Sequence, residues 1–295
     1  MTMPATQAAP ATGILPAPGA TLTYDVRPGA DGQHRPLLVI GSPMGASGFG
    51  TLAGHFADRT VVTYDPRGVE RSVKDDPTSE STPDQHADDL HRIIEHLGLG
   101  PVDVFASSGG AVNALALVAT HPEDVRTLVA HEPPLAALVP DSEAALATCR
   151  AVAATYRQRG QGAGMAHFIA VVAHEGPFTL EFAAQPGPDP QMFGMPDVDD
   201  GSRTDPLLAQ NILTCTGYRP DVEALRAAST RIVIAVGQGS GTQLARRGGE
   251  AIAERLGVTP VVFPGDHSGF LGGEYGQTGE PDAFAAKLHE VLDAA

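Results

Sequence analysis

The stretch Val102 to Thr120, VDVFASSGGAVNALALVAT, runs from a short apolar β-type segment into an Ala- and Leu-rich segment of helical spacing. Two serines and two glycines join the two with no loop between, which makes a sharp turn with a serine at its tip. A strand that reverses into a helix so quickly strains the tip backbone, and the residues two before and two after must be small. With Ser108 at the tip those residues are Ala106 and Gly110; with Ser107 at the tip one of them would be Phe105. The pattern is therefore GxSxG with its first glycine relaxed to Ala106. It marks Ser108 as the candidate nucleophile, displayed at the C-terminal edge of a sheet with a helix N-terminus behind it to stabilise developing negative charge.

A serine hydroxyl is a poor nucleophile at its free pKa and needs a base, itself oriented by a third group. Of the eleven histidines, His267 stands in Pro264-Gly265-Asp266-His267-Ser268-Gly269-Phe270, between the last strand and the last helix, in a glycine-rich loop that can carry it over the sheet. His86, His91, His96 and His289 fall in polar helical stretches and read as solvated. His167 and His174 could share a helix face, but without a matched carboxylate, an HExxH motif or a cysteine they make a weak metal pattern, and no metal is expected.

The elements that must position these residues follow in order. Ala20 to Val26, Pro36 to Ile40, Thr60 to Tyr64, Val102 to Ala106 and Val125 to Ala130 read as strands. Helices are expected over Pro83 to Leu97 and Gly109 to Thr120. From Leu135 to Arg226 the alternation stops, with helices over Ala144 to Arg157 and Gly164 to Ala173 and a Pro/Gly/Asp-rich stretch from Gln185 to Asp205. It resumes with strand Arg231 to Val236, helix Gln243 to Leu256, strand Pro260 to Phe263 and helix Asp282 to Leu292. The fold class is α/β: a doubly wound, mostly parallel sheet with an inserted helical cap. The expected division is a flexible tail over 1–12, a core over 13–134 and 227–295, and a cap over 135–226. Ligands of such sheets bind at the carboxyl ends of the strands, where the Ser108 and His267 loops both lie.

Composition narrows the partners. A net charge of -16, from 35 acidic and 19 basic residues, repels phosphate backbones and anionic membrane surfaces, so neither nucleic acid nor membrane is expected. Cys149 and Cys215 fit neither a disulfide framework nor a CxxC site and read as buried free thiols. The N-terminal region has no basic residue before Arg27, is interrupted by Pro4, Pro10, Pro16 and Pro18, and does not read as a secretory signal; a soluble cytoplasmic protein is the expectation. The oligomeric state is not legible.

Taken together, the chain resembles the α/β-hydrolase family from Ala20 to Leu292, outside the cap. The resemblance rests on four motifs in order: the Gly41-Ser42-Pro43-Met44-Gly45 loop, YDPRG at Tyr64 to Gly68, the ASSGG turn, and GDH at Gly265 to His267. It implies Ser108 as nucleophile, His267 as general base, and an oxyanion hole made by the backbone N–H of Gly109 and one N–H from the Gly41–Gly45 loop. Pro43 has no N–H, which leaves Met44. The family usually places the triad acid in the loop after the strand that follows the cap, but here that loop, Gly237 to Gly241, has no carboxylate. Some members carry the acid one strand earlier, where this chain has Glu132. Asp266, Asp199, Asp200 and a dyad without an acid are the alternatives. The Gly237 loop also invites a phosphate reading. It lacks a third spaced glycine, at Thr242, and has no acidic ribose partner, so no cofactor is expected.

The resemblance implies a serine hydrolase that cleaves a small, uncharged, largely apolar ester, thioester or lactone through an acyl-enzyme on Ser108. Cap and loop residues Met165, Phe168, Phe193 and Phe270 are candidates to line an apolar pocket. The alternatives are a carbon-carbon bond hydrolase or lyase using the same residues, and a catalytically silent hydrolase-like binding protein.

Overall fold

The computed structural model describes residues 9–30, 32 and 34–294. Residues 1–8 of the expected tail lie outside the described residues.

The described residues form a nine-stranded sheet in the order β1-β2-β4-β3-β6-β7-β8-β9, with β5 paired to β2. From one edge, β1 (Ala11–Ala17), β2 (Ala20–Arg27) and β4 (Val61–Asp65) pair antiparallel. The short β5 (Val73–Lys74) also lies antiparallel to β2. From β4 onward through β3 (Leu37–Ile40), β6 (Val102–Ser107), β7 (Val125–His131), β8 (Arg231–Gly237) and β9 (Val261–Phe263) all pairing is parallel.

Alternate residues of these strands face two separate cores, as the two-residue period of a strand requires. On one side Leu38, Ile40, Val62, Val104, Ala106, Leu128 and Ile234 pack against α2 (Pro83–Leu97), α3 (Gly109–Thr120) and α8 (Leu244–Leu256). On the other, Leu37, Val39, Val61, Phe105, Val129 and Ala235 pack against α1 (Gly50–Gly54) and α9 (Pro281–Asp293). Burial on both faces is why the parallel strands read as continuous apolar runs. The start of α2 is set by a capping box, in which Thr82 and Gln85 satisfy each other's backbone N–H groups, followed by Pro83. Gly98, left-handed at φ 60°, ends it.

Between β7 and β8 the chain carries helices: α4 (Ser142–Val172), α5 (Leu180–Ala183), α6 (Ile212–Thr214) and α7 (Val222–Ala227), with a π-helical turn over Pro206–Asn211. The two helices expected over Ala144 to Ala173 are joined into one 31-residue element, broken at Gly160, whose φ of 84° is not helical. The tail expectation also needs correction. Ala11 and Thr12 belong to β1, whose exposed outer positions left little hydrophobic pattern to read. Among the described residues, no helix is long and apolar enough to cross a membrane.

Candidate active site

The β6–α3 junction is as abrupt as its sequence requires. Strand β6 ends at Ser107, α3 begins at Gly109, and Ser108 between them holds φ 57° and ψ -128°. A serine at positive φ carries strain of about 1–3 kcal/mol, which surrounding structure must overcome. Part of that support is visible: the Ser108 N–H donates to the His131 carbonyl at 3.0 Å, and the Ser108 carbonyl accepts from Ala111 N–H at 3.0 Å. Space fixes the neighbours. A Cβ on Gly110 would stand 2.7 Å from Gly41 Cα, and one on Gly109 would stand 2.5 Å from the Ser42 carbonyl oxygen. The Gly41–Gly45 loop therefore lies directly against the start of α3.

That loop is held from two sides. Ala46 N–H donates to Asp65 Oδ1 at 2.8 Å, and the fully buried Asp65 also accepts from Arg71 Nε at 2.6 Å. From the β7–β8 segment, the buried Asn211 amide donates to Ser42 Oγ at 2.7 Å. Neither contact was anticipated. Asp65 sits in the YDPRG motif and could have been flagged, whereas Asn211 lies where hydrophobic alternation had stopped and gives no local signal.

Strand β7 delivers the next group. Glu132 follows its last residue, takes φ 48°, is fully buried, and hydrogen-bonds Ala235 carbonyl through its own N–H at 3.0 Å. Its side chain reaches two ways: Oε2 lies 2.7 Å from His267 Nδ1, and Oε1 accepts the Gly237 N–H at 2.8 Å. Burial pushes its pKa up most strongly, yet the His267 hydrogen bond and the nearby His131 and His267 more than offset that and bring it down to about 2. An ionised Glu132 fixes the proton of His267 on Nδ1 and leaves Nε2 as the free lone pair. The Gly237 to Gly241 loop, which has no carboxylate of its own, thus supplies a backbone donor to Glu132.

The same loop is unsuited to phosphate. Gln238 N–H donates to the Phe263 carbonyl and Gly239 N–H to the Gly265 carbonyl, at 2.8 and 2.7 Å. With Gly237 N–H held by Glu132, these amides are already satisfied within the protein.

His267 is half-buried, in the loop after β9, and its ring lies over that of His131 with centroids 5.8 Å apart. His131 is fully buried, its Nδ1 3.1 Å from Ser107 Oγ, and burial chiefly lowers its pKa to about 4, so it stays neutral. Ser108 and the Glu132–His267 pair therefore stand at the ends of adjacent strands, with the Ser108 amide bonded to the residue just before the acid. Among the described residues no hydrogen bond joins Ser108 to His267. Asp266 caps the Ser268 N–H at 2.8 Å. Asp199 pairs with Arg203 and Asp200 accepts Ser202 N–H, so all three alternative acids are engaged elsewhere.

The pocket residues divide. Met165 and Phe168 are half-buried on α4 and pack on the first core, and Phe193 is half-buried in the 3-10 turn Pro190–Phe193. Phe270 does not belong with them. It is 2 % exposed and wedged among Phe49, Phe105, Phe284 and His131, where aromatic packing in the second core claims it. The reading of several histidines as solvated is also corrected: His86 is buried, His289 stacks on Phe56 with centroids 4.0 Å apart, and His91 Nδ1 is hydrogen-bonded to Asp124 Oδ2 at 2.6 Å. Each looks polar in sequence because its helix has charged neighbours. Cys149 and Cys215 are free and buried.

This sheet order, the serine turn and the late histidine define a class, and comparison bears it out: a family model described as alpha/beta hydrolase fold matches residues 37–214. The chain belongs to the alpha/beta hydrolase fold family. An uncharacterized hydrolase of Bacillus subtilis (strain 168), YraK, is 30% identical over 286 residues, covering 95% of this chain and 96% of that protein. Among solved structures, a thermophilic esterase from Thermogutta terrifontis aligns with a TM-score of 0.66 at 21% identity, over 97% of this chain and 98% of the other. The enol-lactonase from Burkholderia xenovorans LB400 aligns at 0.66 and 16% identity, over 95% and 99%. At those identities the structures attest the fold.

Proposed function

We propose that this chain is a serine hydrolase acting on small, uncharged, largely apolar esters, thioesters or lactones through an acyl-enzyme on Ser108. The observation that carries the reading is the strained Ser108, at the N-terminus of α3 and one strand from the buried Glu132–His267 pair. Ser108 Oγ attacks the substrate carbonyl carbon while His267 Nε2 takes the hydroxyl proton. Glu132 stays ionised throughout, holding the Nδ1–H and stabilising the imidazolium. The carbonyl oxygen, now negative, is met by the N–H groups of Gly109 and Met44, backed by the N-terminal dipole of α3. Collapse expels the alcohol, thiol or ring oxygen with the proton from His267. A water, deprotonated by His267, then attacks the acyl carbon; the acyl–Oγ bond breaks, His267 returns the proton to Ser108 Oγ, and the acid departs.

The half-buried Met165, Phe168 and Phe193 of the β7–β8 segment, and the net charge of -16, support an apolar, uncharged substrate. The relatives point the same way, since one is described as an esterase and another as an enol-lactonase. The test is a panel of short neutral esters, thioesters and lactones, each with a carboxylated counterpart, assayed with wild type and Ser108→Ala. Turnover of neutral members that vanishes in the variant supports the reading; turnover unaffected by the variant, or none on any member, refutes it.

A further inference from the structure

At the end of α3 remote from Ser108, three potential ligands converge. His91 projects from α2, His121 ends α3, and Asp124 lies in the 3-10 turn Pro122–Asp124 that leads into β7. One donor atom from each lies within 4.8 Å of the others. Helix α3 has 12 residues, so the cluster stands ~18 Å along the helix axis from the serine. It has no part in the chemistry proposed there.

The three side chains are already in contact with one another. Asp124 Oδ2 lies 2.6 Å from His91 Nδ1, and the other ring nitrogen of His91, Nε2, faces Glu95 Oε2 at 3.4 Å. A carboxylate on the far nitrogen is the arrangement that orients a metal-bound imidazole and raises its basicity. The His121 ring stacks on His91 with centroids 3.8 Å apart and planes 9° from parallel, and its Nδ1 lies 3.7 Å from Glu123 Oε1. Zinc bonds of ~2.1 Å in a tetrahedron set ligand atoms ~3.4 Å apart, a spacing compatible with this cluster. Because a lone pair lies in its ring plane, two parallel rings do not address one ion, and one must turn. His121, in a turn and with 29% of its side chain exposed, has that freedom, whereas His91 is pinned at both nitrogens.

We propose that His91, His121 and Asp124 bind one divalent transition-metal ion of the zinc class. The ion takes the position between His91 Nδ1 and Asp124 that a proton now holds, with Glu95 accepting the Nε2–H and His121 swinging in as third ligand. Two imidazoles and a carboxylate favour such an ion over magnesium or calcium, which prefer all-oxygen sites. Because α2 and the α3–β7 turn each contribute ligands, occupancy ties the two together and stabilises the folded chain by mass action.

The experiment uses the full chain stripped with a chelator and titrated with Zn²⁺ by calorimetry. The expected result is one saturable ion per chain, at least tenfold weaker binding in His91→Ala and in His121→Gln, and no change in His174→Ala, which alters a histidine in the β7–β8 segment. Co²⁺ added to wild type should give the intense visible bands of a low-coordinate site with nitrogen ligands, and these should be absent in His91→Ala. Where His91→Ala fails to fold, the conservative Asp124→Asn takes its place, and the same loss of the bands is expected. Absence of saturable binding by wild type, wild-type affinity retained in both folded histidine variants, or a Co²⁺ spectrum no different from that of the hydrated ion would overturn the proposal.

Discussion

In this protein one buried carboxylate serves two strand ends at once: Glu132 Oε2 lies 2.7 Å from His267 Nδ1 while Oε1 takes the Gly237 N–H at 2.8 Å. On the proposed mechanism the second contact anchors the carboxylate that orients His267, from a strand end whose own loop carries no carboxylate. Removing the charge while keeping the shape isolates its contribution. Glu132→Gln should lower kcat on a neutral ester by roughly 10³–10⁴-fold, because the amide no longer fixes the Nδ1–H tautomer. KM should change much less, and an unaltered kcat would remove Glu132 from the mechanism.

The serine turn depends on close backbone approach. Gly110→Val should cost about 1–3 kcal/mol by overpacking, since its Cβ would stand 2.7 Å from Gly41 Cα. Urea denaturation measures this directly, and a midpoint equal to wild type would contradict the packing described.

The Asn211–Ser42 hydrogen bond links the segment between β7 and β8 to the proposed oxyanion loop. Asn211→Ala should cost about 1–2 kcal/mol of stability by leaving a buried hydroxyl without its donor. If the bond also positions the loop, kcat should fall while the Ser108-labelled fraction at saturation remains complete. An Asn211→Ala protein with wild-type stability and kcat would show the contact to be idle.

Two fully buried histidines make stability pH-dependent in a defined direction. Burial chiefly lowers His131 to about 4 and His86 to about 3, against an ordinary value of 6.5. A depressed histidine is neutral when folded and protonated when unfolded, so stability is full above pH 6.5 and falls as pH drops through that value toward the folded pKa. At pH 4.5 the loss should be about 2–3 kcal/mol for each. Glu132, lowered from 4.5 to about 2, adds a further loss only below pH 4.5. Among the described residues neither ring nitrogen of His86 has a hydrogen-bond partner, so His86→Phe should keep neutral-pH stability and flatten the decline between pH 6.5 and 4.5. A decline of unchanged slope in that variant would refute its share.

Much of this architecture is written locally in the chain. The strands buried on both faces are continuous apolar runs, and the capping box before Pro83 and the left-handed Gly98 mark the ends of α2. The small residues around Ser108 report a turn whose reason, contact with Gly41 and Ser42, lies far away in sequence. What was not legible depends on long-range packing. Strand β1 is mostly exposed and lacks a core-facing pattern. Phe270 looks like a pocket residue beside His267, but three phenylalanines from distant elements surround it. His91, His121 and Asp124 read as unrelated surface residues until α2 packs on α3. Glu132 was legible through the resemblance, in which some members carry the acid at the end of that strand, whereas its contact to Gly237 is signalled by nothing local.

The measurement that bears most directly on the central claim is intact mass after incubation with a fluorophosphonate, on wild type, Ser108→Ala, His267→Ala and Glu132→Gln in parallel. The predicted result is a single adduct on wild type, none on Ser108→Ala, and slowed labelling on the other two. No adduct on folded wild type, or an adduct that persists in Ser108→Ala, would contradict an activated serine at the head of α3.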